Sequence, residues 1–168
     1  MTTAELLRDA FERIHELVHH SVDGLSGDQL CYRPDPDANS IAWLIWHLTR
    51  IQDDHVAAVA DSDQVWTSDG WFNRFGFDVD PSETGYGHGT DDVAKIKVTS
   101  GELLIGYHDA VFQATTGFVS GLTDGDLSRV VDERWDPPVT LGVRLVSVVS
   151  DDLQHVGQAA YLRGLASE

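Results

Sequence analysis

Residues Asn39–Arg50 read NSIAWLIWHLTR, and the stretch continues through Ile51, Gln52, Asp53, Asp54 and His55 to Ala60. A turn-rich breaker of Pro34, Asp35, Pro36, Asp37, Ala38 and Asn39 precedes it, so a new element starts there. Ser40 is a good N-cap, because its hydroxyl accepts from backbone N–H groups that the first helical turn leaves unpaired. The pattern predicts a helix over 41–60 carrying Trp43, Trp46 and His47. His47 lies beside Trp43, Leu44, Trp46 and Leu48, and an imidazole buried in such surroundings demands a partner.

Upstream, Thr2 and Glu5 form a capping-box pattern, followed by a helical stripe of Leu6, Leu7, Ala10, Phe11, Ile14, Leu17 and Val18. This first helix runs to about His20. Downstream, 61–89 is rich in Gly, Asp, Ser and aromatic residues without sustained periodicity, which predicts an ordered crossover carrying Trp66, Trp71 and Tyr86. A third helical region spans about 91–121, interrupted near Thr99–Gly101, where β-branched residues and glycine weaken helix propensity. After Asp136, Pro137 and Pro138, Thr140 caps a fourth helix from Leu141 toward Leu165. Four helices with one long crossover between the second and third predict an all-α four-helix bundle, a single domain over 1–168. Facing helices of such bundles build metal sites in their interior.

The chain carries 11 Lys and Arg against 28 Asp and Glu, a formal charge of -17. That balance repels phosphate backbones and anionic lipid surfaces, so neither nucleic acid nor membrane is an expected partner. The single Cys31 has no partner for an internal disulfide. No apolar stretch is long enough to span a bilayer, and the N-terminus lacks a signal-like apolar region. A cytoplasmic location is the expectation. The sequence leaves the oligomeric state open, a homodimer being one option.

In the fourth helix Asp151 and His155 stand one turn apart on one face, the spacing at which two side chains close on one ion. Asp152, three residues before His155, is an alternative ligand nearer the middle of the apolar stripe, and periodicity does not choose between them. A third ligand belongs to another helix. His47 is the candidate, with His55 as a competitor closer to the centre of that helix's stripe. Asp54, two turns after His47, would orient a ligand ring or a bound water. The plainer alternative is that all of these are hydrogen-bonded core histidines.

His15, Glu16, Leu17, Val18 and His19 spell H-E-x-x-H, the pattern in which zinc proteases supply two imidazoles and a glutamate base. The stripe of the first helix centres on Leu7, Ile14 and Val18, which puts His15 at its border and Glu16 and His19 toward solvent. Protease function is therefore not the expectation. Gly85, Gly87 and Gly89 surround Tyr86 and His88, but no strand precedes them and no lysine follows, which argues against a phosphate cradle. His88 and His108 are open to either reading, as residues approaching the site or as a polar loop histidine and a surface helix histidine; Cys31, a conceivable nucleophile with no obvious base nearby, reads rather as packing.

The run Arg33, Pro34, Asp35, Pro36 with NSIAWLIWHLTR and Asp53, Asp54, His55 resembles the DinB-like superfamily, particularly its mycothiol-dependent S-transferase and maleylpyruvate isomerase-like branch. The stretch Arg134–Gly164, RWDPPVTLGVRLVSVVSDDLQHVGQAAYLRG, resembles the end of such proteins, with His155, Gly157 and Gln158 at its core. The resemblance implies a metal bound by a histidine of the second long helix and a pair one turn apart in the last. Those positions are His47, Asp151 and His155 here; many relatives have histidine, and some glutamate, where this chain has Asp151.

The function expected from this resemblance is transfer of a low-molecular-weight thiol, mycothiol, to an electrophile as a form of detoxification. The divalent metal would be zinc, with an open coordination position that favours the thiolate form. Gln158 would orient the thiol or a bound water, and Arg144 or Arg163 would meet a polar group of the cosubstrate. Two other classes are metal-assisted hydrolysis at the same trio, with Asp54 as base, and a metal or small-ligand binder without turnover.

Overall fold

The computed structural model describes residues 1–166, so the last two residues of the domain expected over 1–168 lie outside it. α1 (Thr3–Val22) begins with the capping box of Thr2 and Glu5. α2 (Gly27–Cys31) is a short helix that the periodicity missed; Ser26 and Gln29 form a second capping box there. α3 (Ile41–Ala60) starts at Ser40, whose hydroxyl accepts from the Trp43 N–H. Short helices α4 (Val65–Ser68) and α5 (Trp71–Phe75) break up the crossover. The third region is split into α6 (Thr90–Val93) and α7 (Glu102–Ser120), with a wider gap than propensity suggested. At its end Gly101 passes so close to α1 that a Cβ would lie 2.4 Å from Val22 Cγ1. A 3-10 turn (Asp126–Ser128) leads into an unanticipated antiparallel pair, β1 (Val130–Asp132) and β2 (Val139–Thr140). α8 (Leu141–Ala166) closes the chain.

The long helices α1, α3, α7 and α8 make the bundle, with α3 against α8 and α7, and α1 against α7 and α8. Phe11, Ile14 and Val18 from α1 meet Leu44, Ile45 and Leu48 from α3, all buried. On α8, Leu141, Leu145, Val148, Asp152, Val156 and Ala159 form the buried stripe at three- and four-residue spacing. Each large aliphatic side chain removed from water there contributes about 1.5–3 kcal/mol. Leu6 and Leu17, expected in the α1 stripe, are exposed instead.

Polar residues of α3 hold the crossover in place. The Asp53 carboxylate accepts from the Val65 and Trp66 N–H groups at 2.9 and 2.8 Å and from the Tyr107 hydroxyl at 2.7 Å. Arg50, fully buried, donates from Nε to the Glu83 carbonyl at 3.1 Å and from Nη1 to Gln64 at 2.8 Å. A buried charge is tolerable only with such partners. No helix of the described residues is long and apolar enough to cross a membrane.

Candidate metal centre

His47 projects from the middle of α3 toward α8, its ring stacked on Trp43 with centroids 4.6 Å apart. Its Nδ1 lies 2.6 Å from the Thr84 carbonyl oxygen. A carbonyl only accepts, so Nδ1 carries the proton and Nε2 keeps its lone pair. Nε2 in turn lies 4.0 Å from Asp151 Oδ2. One turn along α8, His155 Nδ1 lies 2.8 Å from the Asp151 main-chain carbonyl, which by the same reasoning frees its Nε2. The rings of His47 and His155 meet edge to face at 4.5 Å. Asp151 Oδ2 is buried and accepts no hydrogen bond, although His155 Nδ1 stands 3.2 Å away.

The three residues thus offer ligand atoms mutually within 4.8 Å. Donors about 2.0–2.2 Å from a tetrahedral zinc lie about 3.3–3.5 Å apart, so His47 Nε2 and Asp151 Oδ2, 4.0 Å apart, would close by roughly 0.5 Å around a shared ion. Two imidazoles with their Nδ1–H groups held by carbonyls, plus a carboxylate oxygen lacking a donor, fit a divalent cation. Burial holds the His47 pKa below its ordinary value, with the charge of His155 adding to the effect against the Thr84 hydrogen bond. For His155 burial works downward too, but its contacts with Asp151 carry the net shift upward. Burial acts to raise Asp151; the close approach and charge of His155, with the charge of His47, outweigh it and hold the pKa below the ordinary carboxylate value.

The glycine-rich turn supplies the wall behind His47. Gly85 has φ +90, and a Cβ there would sit 2.7 Å from His47 Nδ1 and 3.1 Å from both Trp43 and Trp46. His88 accepts at Nδ1 from the Trp43 indole N–H, 3.2 Å away, and donates from Nε2 to Glu83 at 2.7 Å. It is part of this wall rather than a free loop histidine.

A family model of the DinB superfamily matches residues 10–159. The chain belongs to the DinB superfamily. A crystal structure of a conserved protein from Enterococcus faecalis superposes on this DinB-superfamily chain with a TM-score of 0.92 at 32% identity, covering 99% of this chain and 98% of that one. No curated protein matches it.

Within this DinB bundle the ambiguity on α8 has a geometric outcome. Asp151 faces His47 and His155, whereas Asp152 is fully buried in the core stripe, both its oxygens without a hydrogen bond. Burial, and then the charge of Asp151, push the Asp152 pKa well above its ordinary value, which favours its neutral form. The second-sphere place expected for Asp54 is not what the structure shows: its Oδ1 accepts from Gln64 at 2.8 Å and its Oδ2 lies 3.8 Å from His55 Nδ1. The Arg144 guanidinium pairs with Asp132 at 3.1 Å, beside Arg134.

Gln158 is exposed and lines a hollow of about 450 Å³ with Asn39, Leu44, Gln154 and Tyr161. A second hollow of about 560 Å³ is lined by Asp151, Ser147, Ser150 and the same Gln154. Arg163, half-buried, lies two turns beyond His155. His55 is not in the trio, but its pKa is lowered first by burial and then by Arg144, and it lies close enough for Asp151 to act on it. Cys31 is half-buried, its thiol directed to the Val98 carbonyl at 3.5 Å.

Proposed function

We propose that this chain is a metal-dependent S-transferase, joining a low-molecular-weight thiol of the mycothiol class to a small electrophile. The observation that carries the reading is the convergence of His47, Asp151 and His155, with both imidazole Nδ1–H groups engaged by carbonyls. A divalent cation such as zinc, when bound, supplies a Lewis acid that lowers the pKa of a thiol against it. A free thiol with a pKa near ~8.5 is only a few per cent ionised at neutral pH, so that assistance matters for a nucleophile.

Residues of the chain do the rest. Thr84 and the Asp151 carbonyl fix the ring orientation of the two histidines. Asp151 reaches one hollow and Gln154 lines both, so two reactants can approach along the same face of α8. Gln158 and Asn39 present amides in the second hollow for polar groups of the thiol. Cys31 lines neither hollow, consistent with a nucleophile brought by the cosubstrate. Hydrolysis is less well supported, because Asp54, the base that reading requires, is engaged by Gln64.

The test is consumption of mycothiol against a bimane electrophile by zinc-loaded protein, with and without chelator. Conjugation that chelator abolishes supports transfer. Turnover of the electrophile without thiol would replace this reading by the hydrolytic one, and stoichiometric metal with neither reaction would leave a binder.

A further inference from the structure

The H-E-x-x-H motif of α1 is not idle in the fold. His15 and His19 both direct Nε2 to one oxygen of Asp109 on α7, at 2.8 and 2.7 Å. Ligand atoms of the three residues lie mutually within 4.8 Å, as in the trio on the other side of the bundle. All three are half-buried, with side-chain exposures of 26, 32 and 39%. We propose that His15, His19 and Asp109 form a second, independent site for a divalent transition-metal ion, which clips α1 to α7.

Several features favour this beyond the donor set. Two imidazoles at i and i+4 share a face one turn apart, and their rings are 4.6 Å apart. His15 is stacked on Phe112 at 4.2 Å, which fixes its ring plane. Each Nε2–H donates to Asp109 here, and no hydrogen bond engages Nδ1 of either histidine among the described residues, so a bound cation can replace the Nε2 proton while each ring keeps its proton at Nδ1. Donors about 2.0–2.2 Å from a tetrahedral zinc lie about 3.3–3.5 Å apart. The present contacts would therefore open by about 0.6 Å, a small adjustment for partly exposed side chains. The Asp109 carboxyl is held below its ordinary pKa: burial opposes this, but the hydrogen bonds from His19 and His15 prevail. Glu16, the base of a zinc protease, is exposed and is not among the clustered ligand residues. The site accordingly binds and braces rather than hydrolyses.

The experiment is zinc titration by calorimetry of the full chain, with cobalt absorption as a second readout, on wild type, His155→Ala, His19→Ala and the double variant. Asp109→Asn and the neighbouring exposed His20→Ala complete the set. The proposal predicts two equivalents for wild type, one for each single histidine-ligand variant and none for the double variant. Asp109→Asn should weaken the α1–α7 ion, and His20→Ala should change nothing. Zinc should also raise the thermal midpoint of His155→Ala but not of the double variant. One equivalent in wild type that His155→Ala abolishes and His19→Ala keeps would overturn this site alone. One equivalent lost only in His19→Ala would instead overturn the α3–α8 centre, and no binding by wild type would overturn both. Circular dichroism of each variant separates loss of a ligand from loss of fold.

Discussion

The Nδ1–H of His47 donates to the Thr84 carbonyl oxygen across 2.6 Å, so a ring in the middle of α3 is aimed by a loop that lies 37 positions downstream. That bond settles which nitrogen is free to meet a metal. It also explains why the chain turns at Gly85, the next residue, where φ is +90 and no space exists for a Cβ.

Gly85→Ala should therefore act on the metal through the protein. The left-handed backbone alone costs about 1–2 kcal/mol for a non-glycine residue, and the new methyl must displace His47 or the loop. Loss of an outer partner of a ligating histidine typically costs 10–100-fold in metal affinity. A loss of that order by competition with a chelator, together with a lower thermal midpoint, is the expected result. Unchanged affinity would mean that Thr84 does not hold the ring.

Asp151 and Asp152 should respond in opposite ways. Asp151→Asn should weaken zinc binding, while Asp152→Asn should leave it intact and alter stability with pH. In the folded protein burial holds the Asp152 pKa well above the value of about 3.9 at which it ionises in the unfolded chain. Raised native pKa means that its contribution is fully present below that value and is lost as pH rises toward the native pKa. Asparagine has no such loss. The stability gain of Asp152→Asn over wild type should grow between pH 4.5 and 7.5 in urea unfolding; a gap independent of pH would contradict the assignment.

His108 gives the opposite slope. Thr49 donates its hydroxyl to the Ile45 carbonyl at 2.7 Å and accepts from His108 Nδ1–H at 3.1 Å, while Nε2 is buried without a partner. Burial, and then the charge of His15, push its pKa down to about 3. Below about 6.5 the unfolded chain binds a proton that the native ring refuses, so stability falls with pH until about 3, by up to about 1.4 kcal/mol per unit. Replacing it with glutamine should flatten the wild-type curve by one proton's worth over that window.

For turnover, Gln158→Ala should raise KM for the thiol several-fold with zinc content unchanged, since its side chain lines a hollow rather than the trio. Asp54→Asn should leave kcat nearly unaltered because Gln64 already occupies that carboxylate. A collapse of kcat in Asp54→Asn would restore it as a base.

Periodicity and breakers made the bundle legible: Ser40, the Pro137–Pro138 break and the stripe of α8 each mark an element that the structure contains. Helical spacing, being local, offers Asp151 or Asp152 with His155 without choosing between them, and it leaves His55 as a competitor to His47; only the packing of α3 on α8 separates them. What escaped depends on contacts between distant segments. Arg50 and Asp53 look like ordinary polar residues of an amphipathic helix, yet both are buried beneath the crossover. The sequence leaves His108 open between a surface position and an approach to the site, and only the packing of α7 shows that it is fully buried. The stripe of α1 puts Glu16 and His19 toward solvent, yet His19 is half-buried against Asp109, 90 positions away, and no local pattern announces that contact. Gly85 belonged to a glycine-rich signal; its purpose could not emerge until His47 lay against it.

The measurement that bears most directly on the α3–α8 centre is a crystal structure of zinc-loaded protein with anomalous data collected on both sides of the zinc edge. The account predicts a peak bounded by His47, Asp151 and His155, with both histidines coordinating through Nε2. Zinc bound elsewhere while those three side chains remain empty of density, or coordination through Asp152 in place of Asp151, would contradict it.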